Sequence, residues 1–132
     1  MPDVELTLPA RAENVAVVRH ALGGLGEGLD LEPQVLADVK LAVTEACTNV
    51  IVHAYPGGEG PLTVAVKVDP ELLRVVVRDH GSGIVPRPDS PGLGLGLPLI
   101  ATLAESLELG TSADDATEVS MTFRLVVAPE VA

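Results

Sequence analysis

The sequence predicts an α+β fold, a two-layer α/β sandwich with helices on one face of a mixed, mostly antiparallel sheet. Three observations carry this reading. Apolar periodicity alternates between that of a strand and that of a helix in the order β-α-α-β-β-loop-α-β-β. Strands that follow one another through short turns pair antiparallel, and the helices must then share one sheet face. Strand and helix do not alternate strictly, which argues against a doubly wound parallel sheet.

The elements follow in order. Residues 3–8 alternate Asp-Val-Glu-Leu-Thr-Leu, a strand with one buried face that Pro9 closes. Val15, Val18, Leu22 and Leu25 are spaced as a helix over about 11–25, and Gly23, Gly24, Gly26 and Gly28 are expected to break it. Residues 33–54 form the longest periodic segment, with Pro33 suited to a first turn and Val35, Val39, Val43, Ala46 and Val50 at helical intervals. Two β-branched runs, 62–68 and 72–77, meet at Asp69-Pro70-Glu71, a hairpin signal. Residues 79–96 are rich in Gly and Pro and read as a long functional loop. A helix over about 97–104 and strands near 107–109 and 118–126 complete the chain, read as one domain over 1–132.

Composition narrows the function. Hydrophobic residues make up 47% of the chain, with no Trp and one each of Tyr and Phe, so the core must be aliphatic. The net charge is -11, from 19 acidic and 8 basic residues, with no Lys/Arg cluster. A nucleic-acid binder needs a basic face to displace counterions, so direct nucleic-acid binding is disfavoured. The one cysteine, Cys47, lies in an apolar helical pattern and reads as a buried thiol. The first residues hold no basic stretch followed by an apolar run, and no apolar run reaches membrane-spanning length. A cytoplasmic protein without membrane contact is expected.

Three segments carry chemistry. Glu45-Ala46-Cys47-Thr48-Asn49 places two polar side chains one above the other on the long helix. Together they are able to hold a hard cation and orient a hydroxyl, although an exposed Glu and a loop-capping Asn are the plainer reading. Asp79-His80-Gly81-Ser82-Gly83 ends a strand; a carboxylate there suits an exocyclic amine, and an ordinary Asp-Gly turn is the alternative. Gly92-Leu93-Gly94-Leu95-Gly96-Leu97 opens a helix, where free backbone N–H groups attract anions. It is neither a Rossmann fingerprint, since a Pro-rich loop precedes it, nor a P-loop, since Gly-Lys-Ser/Thr is missing.

The succession of these segments resembles the anti-sigma-factor serine kinases of the histidine-kinase-like (GHKL) ATPase superfamily. Glu45 to Asn49 with His53-Ala54-Tyr55 is similar to their N-box, Arg78-Asp79-His80-Gly81-Ser82-Gly83-Ile84 to their adenine-binding box, and 92–97 with Leu99-Ile100 to their second glycine box. Ala116-Thr117-Glu118-Val119-Ser120-Met121 resembles their closing Gly-Thr-x-Val-x-Met strand, with Ala for Gly. The resemblance implies the Bergerat ATP-binding fold with ATP and Mg²⁺ as cofactors. It implies that Asn49 coordinates Mg²⁺, Glu45 acts as general base, and Asp79 reads the adenine amine beside Gly81 and Gly83. Gly92, Gly94, Gly96 and Leu97 would wrap the phosphates, and Thr117 would support the adenine side. It further implies phosphorylation of a serine on an anti-anti-sigma partner of the STAS fold, sequestration of a sigma factor, and homodimers. Between Gly83 and Gly92 the lid is short, with Arg87 its one basic residue. That departure keeps two alternatives open, a non-catalytic ATP-dependent binding module and a detached sensor-kinase ATPase domain.

Overall fold

Five short runs of alternating apolar residues become the strands β1 (Val4–Pro9), β2 (Pro61–Val68), β3 (Leu72–Asp79), β4 (Ser106–Thr111) and β5 (Thr117–Arg124). The computed structural model describes residues 2–56, 58–81, 93–112 and 114–126, the side chains of 93–95 excepted. Between the strands lie α1 (Ala12–Gly28), α2 (Pro33–Asn49), a π-helical turn (Val50–Ala54) and α3 (Leu93–Leu103). The strands form a single sheet in the order β1-β2-β3-β5-β4. Every neighbouring pair is antiparallel.

Register turns the strand pattern into two distinct faces. Across the sheet run the rows Val4–Val66–Val75–Met121–Leu107 and Leu6–Val64–Val77–Val119–Leu109. Successive side chains alternate between faces, so these rows share one side. Their central members Val64, Val66, Val75, Val77, Val119 and Met121 join Val18 and Leu22 of α1, Val39, Val43 and Ala46 of α2 and Ile100 of α3 in one buried cluster. A fully buried valine or leucine contributes roughly 1.5–3 kcal/mol, which exceeds any per-residue helix preference, so this cluster sets the layering. The opposite face is polar. Thr7 and Thr63 share a hydroxyl hydrogen bond of 3.1 Å, and Arg78 meets Glu118 at 2.6 Å.

Helix boundaries depart from expectation in three places. α1 runs through Gly23, Gly24 and Gly26 to Gly28, where the glycines were expected to break it. Packing is the reason. A Cβ on Gly26 would stand 2.6 Å from Leu36 Cδ1, so the missing side chain lets α2 lie against α1. The chain then reverses at Asp30, whose φ of 53 is the left-handed conformation that Asp tolerates better than most residues. The long helix keeps its α register only to Asn49 and continues as the π-turn. α3 begins at Leu93, earlier than expected, and includes Gly94 and Gly96.

Candidate functional site

One end of the sheet carries a third row, Leu62–Asp79–Thr117–Thr111, on the helix-covered side. Asp79, the last residue of β3, is 1% exposed. Its Oδ1 accepts a hydrogen bond from the Gly81 backbone N–H at 3.0 Å. Burial pushes the Asp79 carboxyl above its usual range, an effect that the Gly81 hydrogen bond and nearby His80 offset in part. An ionised carboxylate accepts at about four lone-pair positions. One backbone amide therefore leaves Asp79 able to take an amine from a ligand. Thr117 stands directly across from it in the β3–β5 ladder.

The second component lies on α2. Glu45 and Asn49 are one turn apart, Glu45 half-buried and Asn49 5% exposed. The Nδ2 of Asn49 is buried without a hydrogen-bond partner among the described residues. Leaving such a donor unpaired costs about 1–3 kcal/mol, an expense typical of groups reserved for a ligand. α3 closes on this amide. A Cβ on Gly96 would lie 2.8 Å from Asn49 Nδ2 and 3.1 Å from Oδ1, so any side chain there would have to push the buried amide aside. The first turn of α3, whose N–H groups have no partner within the helix itself, is thereby brought to the Asn49 side of the site.

The π-turn Val50–Ala54 connects the two components. Single π-turns are rare and concentrate at functional sites, because the added residue redirects the chain. Tyr55 follows it, and its hydroxyl donates to Pro61 O at 2.5 Å while accepting from the His80 backbone N–H at 2.8 Å. Gly81 lies against the turn so closely that a Cβ there would come within 2.0 Å of Ala54 O. Its glycine is required by this backbone contact.

The structure thus brings Asn49 and Gly96 together at the α2–α3 contact, with Glu45 one turn back on α2, and Asp79, Gly81 and Thr117 together at the sheet end. Gly94 lies in the first turn of α3, and Leu97 packs against the hydrophobic core. Gly83 and Gly92, together with the lid between them, fall outside the described residues. Sequence reasoning did not find the Tyr55 contacts. The one signal available was the rarity of aromatics, since the chain has a single Tyr. Among the described residues no helix is long and apolar enough to cross a membrane.

Comparison with known proteins places this geometry. The model of the histidine kinase-like ATPase domain matches residues 8–123. The serine-protein kinase RsbW of Halalkalibacterium halodurans is 34% identical over 121 residues, covering 80% of this chain and 74% of that protein. RsbW of Bacillus mycoides is 30% identical over 121 residues, covering 80% and 76%. Among solved structures, the RsbU and RsbW domains of a Mycobacterium tuberculosis protein superpose with a TM-score of 0.74 at 21% identity. That match covers 98% of this chain and 35% of the longer one. The histidine kinase domain of a blue-light activated kinase from Erythrobacter litoralis superposes at 0.58 with 22% identity, covering 89% and 62%. The fold, the ordered motifs and these relatives agree: the chain belongs to the histidine kinase-like ATPase family, in the branch of the RsbW serine-protein kinases.

Proposed function

We propose that the chain is an ATP-dependent protein serine/threonine kinase that phosphorylates a STAS-type anti-anti-sigma partner. In its other state it sequesters a sigma factor, acting in the cytoplasm as a homodimer. The observation that carries this reading is the buried Nδ2 of Asn49, without a hydrogen-bond partner among the described residues and held against Gly96, with Glu45 one turn behind it.

The residues present fit both cofactors. Asn49 offers an amide oxygen, a hard ligand, and a buried N–H group for a phosphate oxygen. No three His, Cys, Asp or Glu side chains among the described residues converge to hold a metal. A Mg²⁺ held by Asn49 would be completed by phosphate oxygens and water, as that ion ordinarily is. When bound, it neutralises charge on the β- and γ-phosphates. Asp79 accepts the adenine amine, and Thr117 supports the base across the ladder. The first-turn N–H groups of α3, around Gly94 and Gly96, bind phosphate oxygens together with Gly92, while Gly83 serves the adenine pocket with Gly81.

Glu45 receives the proton of the attacking serine hydroxyl. The bond from serine Oγ to the γ-phosphorus forms as the bond from that phosphorus to the β,γ-bridging oxygen breaks, releasing ADP.

Transfer of labelled γ-phosphate to a cognate STAS protein tests the proposal. Glu45→Ala is expected to lower transfer at least a hundredfold, the low end for a positioned acid–base group, while ATP still binds. Unchanged transfer in Glu45→Ala would remove the assigned base. ATP binding without transfer to any STAS protein would make the chain a nucleotide-dependent binding module instead.

A further inference from the structure

We infer that Tyr55 is a positioning residue for the base-reading carboxylate, latching the end of the α2 segment to the strand end that carries Asp79. This rests on Asp79 as the reader of the adenine amine. The phenol oxygen makes two hydrogen bonds to residues far apart in the sequence, donating to Pro61 O at 2.5 Å and accepting from His80 N at 2.8 Å. His80 directly follows Asp79, and the next amide, Gly81 N–H, is bonded to the Asp79 carboxylate at 3.0 Å. The segment 79–81 is therefore held at two successive amides, one by the carboxylate it must orient and one by Tyr55.

The ring is held as firmly as the hydroxyl. A Cβ on Gly60 would stand 2.1 Å from Tyr55 Cε1, so the residue that leads into β2 lies directly against the ring. Gly81 abuts Ala54 O, and a Cβ on it would stand 2.9 Å from Tyr55 Cδ1. Burial raises the Tyr55 phenol above its usual range, which keeps the proton that the bond to Pro61 O requires. Tyr55 lies six residues beyond Asn49, so the single turn Val50–Ala54 ties the phosphate side of the site to the base side.

The test compares ATP with inosine triphosphate, whose ring carries a carbonyl oxygen where adenine has its amine. Calorimetry with Mg²⁺ on the full chain gives both dissociation constants for wild type, Tyr55→Phe and Asp79→Asn. Phe keeps the ring over Gly60 and removes only the hydroxyl. ATP affinity in Tyr55→Phe is expected to fall about fivefold, the effect of one net hydrogen bond, with inosine triphosphate affinity nearly unchanged. Loss of folded protein would lower the active fraction for both nucleotides alike, leaving their ratio of constants as in wild type. A changed ratio in Asp79→Asn with an unchanged ratio in Tyr55→Phe overturns the latch alone. An unchanged ratio in both variants overturns the reading of Asp79 and the latch with it.

Discussion

Gly96 and Asn49 meet so closely that a methyl group on the glycine would sit 2.8 Å from the asparagine Nδ2. That contact makes a sharp prediction, because helix preference and packing oppose each other. Alanine is favoured over glycine by roughly 1 kcal/mol inside a helix. At residue 96 it must displace a buried amide that has no other partner among the described residues. Gly96→Ala is therefore expected to gain no stability and to weaken ATP binding tenfold or more. Thermal melting and calorimetry on the same protein check it, and a variant that melts higher and binds ATP normally would contradict the contact.

Asp79 predicts a pH dependence of known sign. Burial raises its folded-state pKa, so the folded protein holds that proton more tightly than the unfolded chain. The associated stability is fully present below the unfolded value and is lost as pH rises through the folded one. Asp79→Asn has no such titration. The variant should melt higher than wild type at pH 7 in the absence of nucleotide, with the gap closing as pH falls below the usual carboxylate range. Melting curves across pH 3 to 7 measure it, and a gap that widens toward acid would reverse the assigned cause.

The sheet was readable because alternation is local. Val64, Val66, Val75 and Val77 declare their face within their own strands, and Asp69-Pro70-Glu71 joins them. Asp79 and Thr117 were legible as motif residues, but their position opposite each other depends on a β3–β5 pairing between segments far apart in sequence. The glycines of α1 misled because their cost is repaid elsewhere, by Leu36 packing on Gly26. Tyr55 was legible only as the end of the N-box motif, and neither its contacts nor the π-turn could be read. Both are settled by Pro61, His80 and Gly81, which periodicity along α2 does not sense.

The Gly26–Leu36 contact makes its own prediction. A Cβ on Gly26 would meet three carbons of the Leu36 side chain, the nearest at 2.6 Å. Overpacking of this kind typically costs 1–3 kcal/mol, enough to outweigh the helix preference of alanine. Gly26→Ala should destabilise the fold by about 1–2 kcal/mol, and adding Leu36→Ala should recover part of that loss. Denaturant unfolding of both single variants and the double variant gives the coupling. Strict additivity would mean that the two residues do not compete for space.

Cys47 offers a probe of global unfolding that leaves the proposed ATP site untouched. It is 0% exposed on the core side of α2, and burial pushes its thiol up to about 12. Thiolate is the reactive form, so at pH 8 both access and ionisation protect the native side chain. Labelling by a thiol reagent should then proceed only through opening of α2, which the core cluster makes a cooperative event. Saturating ATP should slow labelling in proportion to its affinity, since a ligand of the native state lowers the open population. Glu45→Ala, which retains binding, should preserve that protection, and Asp79→Asn should lose most of it. Mass spectrometry of the labelled chain over time reads all three. Fast labelling of the native protein, indifferent to ATP, would place Cys47 outside the core.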